Sequence, residues 1–179
     1  MAKELLDVKP QPGINIELGL LLAILEENTR DGRDDLKDFP EEAILWQPFP
    51  DGHSIGAILL HIACAESRWF EEVVAQRVRD PELVKRLRCE EIDQFSVKWV
   101  QPTKRPLSWY YEQQDAIRKR TLEIIHEAAD PAAISTLAER KYEYTLRWVI
   151  YHIIQHEAYH IGQAVLCGLQ HERQKSLKR

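Results

Sequence analysis

The chain has 179 residues, the size of one domain or at most two small ones. It is 44% hydrophobic and 30% charged, which excludes a disordered chain, and its net charge of −5 gives no general reason to bind nucleic acid or an anionic membrane. Glycine is scarce at 7 residues while Leu, Ile, Ala, Glu, Arg and Lys abound, so helix is favoured over strand. The cysteines Cys64, Cys89 and Cys167 form no CxxC, which argues against a disulfide scaffold and against a cysteine-only zinc site. The opening MAKELLDVKPQPG has no apolar signal core, and this predicts a cytoplasmic protein. The most apolar long span, Trp148 to Gln170, carries histidines, glutamines and a Glu, so it reads as a buried helix and not a membrane span.

Prolines divide the chain, because proline is poorly tolerated inside helices. Between them the first predicted helix runs from about Ile14 to Asp38, with Leu18, Leu21, Leu22, Leu25 and Thr29 at helical spacing. The second runs from Ser54, a predicted N-cap, to about Val78, with a stripe of Ile55, Ile58, Leu59, Ile62, Ala65, Trp69 and Val73. A polar connection from Arg79 to Leu107 holds a short predicted helix over Pro81 to Leu87, where proline suits a first turn. The third long helix is expected from Ser108, again as cap, to Ala129. After a connection from Asp130 to Tyr144, the fourth spans about Thr145 to Leu169, with Gly168 as a candidate C-cap. Four amphipathic helices of similar length predict an all-α four-helix bundle as a single domain over residues 1–179, with 1–13 and 171–179 as frayed tails.

Four histidines lie where chemistry is plausible. His61 sits in ILLHIACAESRWF, and His152, His156 and His160 sit in WVIYHIIQHEAYHIGQ. Residues four apart on a helix are neighbours, so two imidazoles at that spacing converge on one metal ion and a third ligand comes from another helix. His61 is the candidate third ligand. Spacing alone leaves His152/His156 and His156/His160 equally good pairs. Three imidazoles with an open fourth position would activate water or a thiol. Zn is the default, and Ni, Fe, Co and Mn are also compatible with such ligands. His156 to His160 also spells HExxH, the zincin protease motif with Glu157 as general base. Only 19 residues follow His160, and Leu166 stands where the extended motif needs a His, which weighs against a peptidase.

Taken together, these segments resemble the DinB/YfiT-like superfamily, described as metal-dependent hydrolases, whose relatives include bacillithiol S-transferases and mycothiol-dependent maleylpyruvate isomerase. A loop with Trp46 and Pro48 precedes PDGHSIGAILLHIACAESRWF, which looks like the family's second helix. LRWVIYHIIQHEAYHIGQ resembles its last-helix signature, HxxxHxGQ. The resemblance covers most of the chain. It implies a metal triad of His61, His156 and His160 and leaves His152 beside it as a packing or supporting residue. It also implies a four-helix bundle with a crossover connection, a homodimer, a small-molecule substrate and a low-molecular-weight thiol as co-substrate.

Other residues are read more plainly. Gln163, seven residues after His156, lies near the same face and is a candidate to support a ligand. Glu157 points about 100° away from His156 on an ideal helix, which favours a salt bridge or buried hydrogen bond. Glu66 is expected to be structural, and Cys64 a small buried thiol. The function expected is metal-dependent thiol S-transfer or hydrolysis on a small molecule. The alternatives are a non-catalytic metal-binding, stress-associated bundle, a zincin-like peptidase, or a plain helical interaction domain.

Overall fold

The computed structural model describes residues 5–89, 91, 99–137 and 140–178. The ends of the two expected tails, parts of the Arg79–Leu107 connection and residues 138–139 of the next one lie outside the described residues. The described chain is mostly helical, with one small sheet: α1 (Ile16–Leu36), α2 (Ile55–Ser67), α3 (Pro81–Leu87), α4 (Leu107–Ala128), β1 (Ile134–Thr136), β2 (Glu143–Thr145) and α5 (Leu146–Leu177). No described helix is long and apolar enough to cross a membrane.

Helix starts follow local chemistry. Asn15 caps α1 by accepting from the Glu17 amide, Ser54 caps α2 through Ala57, Asp80 caps α3 through Glu82, and Thr145 caps α5 through Trp148. Ser108 does not cap α4 as expected. That helix begins one residue earlier, behind Pro106, with no side-chain cap. At its far end Ala129 adopts a left-handed conformation, φ 53°, and closes the helix by bonding to the Ile125 carbonyl.

α2 changes character after Ser67. Residues Arg68–Val74 form a π-helical stretch, in which the Ala75 amide reaches the Phe70 carbonyl at 2.9 Å. The wider turn keeps Phe70 and Val73 in the core while Arg68 and Trp69 line a cleft.

The core has two parts. One surrounds Leu59, Leu60, Ile62, Leu87, Trp99 and Tyr110, and the other surrounds Leu18, Leu22, Leu25, Phe70, Val149 and Ile150. α1 packs on α5, and α2 packs on both α4 and α5. Burial of these side chains removes apolar surface from water and is the main force holding the helices together.

Several expectations are corrected. The fourth helix does not end at Gly168, and 171–179 is not a frayed tail up to the last turn. α5 continues to Leu177, His171 is buried, and Lys175 pairs with Glu42 at 2.8 Å. Gly168 is glycine for another reason: a Cβ there would lie 2.4 Å from the Phe39 ring. The connection before α5 holds an antiparallel pair, with Ser135 opposite Tyr144. The cysteine reading is also corrected, because Cys64 and Cys89 form a disulfide. Packing of α3 against α2 brings their Cα atoms to 5.6 Å across 25 residues of sequence, within bonding reach. Cys167 remains free and buried.

Candidate metal centre

α2 contributes His61, and α5 contributes His156 and His160 one turn apart. Because α2 packs directly on α5, His61 reaches both partners. Its ring centroid lies 5.0 Å from that of His156 and 4.6 Å from that of His160, and the latter two are 4.3 Å apart. One ring nitrogen from each lies within 4.8 Å of the others, so the three could hold one metal ion. His61 and His160 are buried, and His156 is partly covered.

Burial favours the neutral form of His156 and His160. Burial pushes His156 down to about 3, assisted by His160, His61 and His152. Burial also lowers His160, against the raising effect of its bond to Gln163. Neutral imidazole is the form that ligates a metal.

Gln163 sets the orientation of His160. His160 Nδ1 lies 2.7 Å from Gln163 Oε1. An amide oxygen only accepts, so Nδ1 carries the proton and Nε2 carries the lone pair. That Nε2 is buried and has no hydrogen-bond partner among the described residues. A buried, unpaired nitrogen lone pair facing two further imidazoles suits a divalent cation and suits little else.

His152 belongs to a neighbouring aromatic group. It stacks on Trp148 with centroids 5.0 Å apart and planes 6° apart, and it meets Trp69 edge-on at 4.8 Å. Its centroid is 6.0 Å from that of His156, and it is not one of the three clustered residues.

Glu157 is turned away from the histidines. It is buried, accepts from Thr29 Oγ1 at 2.8 Å, and is paired with Arg118 at 3.2 Å. Arg118 also holds Glu66 through two bonds, at 2.7 and 2.9 Å. Burial works to lower the Arg118 pKa, and Glu66 and Glu157 outweigh it, so the guanidinium stays charged. Burial raises the Glu157 carboxyl against the pull of Arg118. The network ties α1, α2, α4 and α5 together beneath the histidines. It leaves the HExxH spelling without its glutamate in the cleft.

The histidines open into a cleft of about 1140 Å³. Trp69, Trp148 and His152 form an apolar wall, Arg68, Arg79 and Arg140 supply cations, and the β1–β2 hairpin adds Tyr142 to Thr145. The Cys64–Cys89 pair lines it as well. Sequence reasoning missed Trp99 and His53 near the site. Trp99 is buried with its ring 5.4 Å from His61, and His53 packs on Trp99 at 3.8 Å. Both precede or follow the regular helices, so no periodicity could place them.

No curated protein matches the chain. A family model described as mycothiol S-transferase matches residues 20–167.

Proposed function

The chain belongs to the mycothiol S-transferase family, within the DinB/YfiT-like superfamily of thiol S-transferases, and on that premise we propose that it is a metal-dependent enzyme joining a low-molecular-weight thiol to an electrophilic small molecule. The observation that carries the reading is the convergence of three ring nitrogens at the floor of a large cleft.

His61, His156 and His160 are the residues that would hold a divalent cation, with Zn or Ni first and Fe, Co or Mn as alternatives. Such a cation, when bound, supplies Lewis acidity that lowers the pKa of a thiol brought against it and makes its sulfur nucleophilic at neutral pH. Gln163 fixes the tautomer and angle of His160 through the 2.7 Å bond. Trp69 and Trp148 offer flat apolar surface to the electrophile. Arg68 and Arg140 offer donors to its polar groups or to those of the thiol. The buried Arg118 network keeps the helices that carry the ligands in fixed relation.

The fold reading proposed with this function is a four-helix bundle of α1, α2, α4 and α5, with the connection between α3 and α4 as the crossover. A homodimer is proposed too, on the exposed Tyr159, Leu166 and Leu169 of α5. The site of action proposed is the cytoplasm, where such thiols are kept reduced.

The experiment is a conjugation assay. Metal-loaded protein is mixed with mycothiol and a chromogenic electrophile, and the thioether is followed by mass spectrometry. Product above the uncatalysed rate, lost in His156→Ala, supports S-transfer. Tight metal binding with no conjugation of mycothiol or any other low-molecular-weight thiol, across a panel of electrophiles, would support the non-catalytic alternative instead.

A further inference from the structure

We propose that the Cys64–Cys89 disulfide is a thiol-exchange site: a low-molecular-weight thiol in the cleft attacks the Cys89 sulfur, remains there as a mixed disulfide and releases Cys64 as a thiolate. The proposal rests on the reading that this cleft admits such a thiol, and it requires no metal.

Position comes first. Cys64 lies one turn beyond His61 on α2, and both cysteines line the same cleft as His61, His156 and His160. A thiol admitted to that cleft is therefore confined in one cavity with a disulfide. Exchange depends on access of the attacking thiolate to a sulfur and on the leaving thiol's acidity.

The two sulfurs are not equivalent. Cys64 is 8% exposed, in the middle of a packed helix, whereas Cys89 is half-buried on the turn after α3. Arg79 Nη1 lies 3.5 Å from Cys64 Sγ, and Glu72 holds that guanidinium at 2.6 Å. A cation beside a sulfur stabilises its thiolate. Access therefore favours attack at Cys89, and Arg79 favours departure of Cys64.

The electron balance is simple. An incoming thiolate RS⁻ forms an S–S bond to Cys89 as the Cys64–Cys89 bond breaks, and the electron pair leaves on Cys64. A second RS⁻ then attacks the mixed disulfide. It yields RSSR and a Cys89 thiolate, so two thiols are oxidised and the pair is reduced by two electrons. While the adduct persists, it fills part of the cleft. Cys167 takes no part, because it is buried on α5 with its sulfur 3.8 Å from the His53 carbonyl.

The test is intact-mass and peptide mapping of protein purified without reductant and incubated with millimolar mycothiol or cysteine. It is run on wild type and on the His156→Ala/His160→Ala variant, with chelator-stripped wild type in its place if that variant does not fold. The expected result is a mass gain of one thiol, mapped to the Cys89 peptide, in both proteins. Arg79→Gln is expected to slow the adduct by about tenfold. Adduct with cysteine but not mycothiol would count against mycothiol as substrate and leave the exchange site standing. Adduct in a protein that performs no conjugation separates this proposal from the S-transfer reading in the same way. Three results would overturn it: Cys64 and Cys89 free to alkylation as purified, an adduct mapped to Cys64, or a pair untouched by either thiol while guanidinium-unfolded protein is reduced.

Discussion

His160 donates its Nδ1 proton to Gln163 Oε1 across 2.7 Å, one turn further along α5. The bond presents Nε2 to His61 and His156 as an acceptor. Supporting bonds of this kind typically contribute 10–100-fold to metal affinity. Gln163→Ala is expected to weaken metal binding by roughly that factor while the helix content stays unchanged. Competition with a chromophoric chelator measures it, and an affinity equal to wild type would remove Gln163 from the site.

The Arg118 network predicts an asymmetry. Arg118→Met leaves Glu66 and Glu157 buried with their cation gone, and breaking a buried pair from one side costs about 3–5 kcal/mol. Glu157→Gln can accept from Arg118 through its amide oxygen and donate its amide N–H to Thr29 Oγ1, whose own proton goes to the Leu25 carbonyl. It is expected to be much milder, with conjugating activity retained. Urea unfolding and the conjugation assay check both. Abolition of activity by Glu157→Gln in a folded protein would revive the peptidase-like role for this glutamate.

The metal-free protein should lose stability in acid. His156 is held down to about 3 in the folded state, against an ordinary value of 6.5. Between those values the unfolded chain binds more protons, so stability rises with pH across the window and falls as the pH drops below 6.5. Urea midpoints at about pH 7.5 and about pH 5 compare the two regimes. The midpoint is expected to be lower in acid, and the acid loss is expected to be smaller in His156→Ala.

Ala129 offers a stabilising change. Its φ of 53° suits glycine, and the residue is exposed. Ala129→Gly relieves a left-handed conformation that disfavours an L side chain by roughly 1 kcal/mol, and a gain of up to that size is expected in denaturant unfolding. A loss would mean that the turn after α4 is held by contacts of the methyl group.

Much of the helical framework was legible because its signals are local. Ser54, the cap of α2, and Pro81, the first residue of α3, mark starts that the backbone obeys. The hairpin was not legible, since strands of three residues are too short to show alternation. Gly168 misled because a glycine spared for the Phe39 ring looks, in sequence, like a glycine spared for a turn. The histidine spacing left two pairs open, and tertiary packing chose between them: His152 meets Trp148 and Trp69, while His156 and His160 meet His61. The disulfide had no local signal, because only the docking of α3 on α2 brings its halves together.

The central claim is that His61, His156 and His160 hold a metal ion. Its most direct test is metal content by mass spectrometry on untagged protein, beside the His156→Ala/His160→Ala variant. The account predicts about one metal per chain in the wild type and none in the variant. Wild type that takes up no metal, even after reconstitution with Zn, Ni, Co, Mn and anaerobic Fe(II), would contradict it.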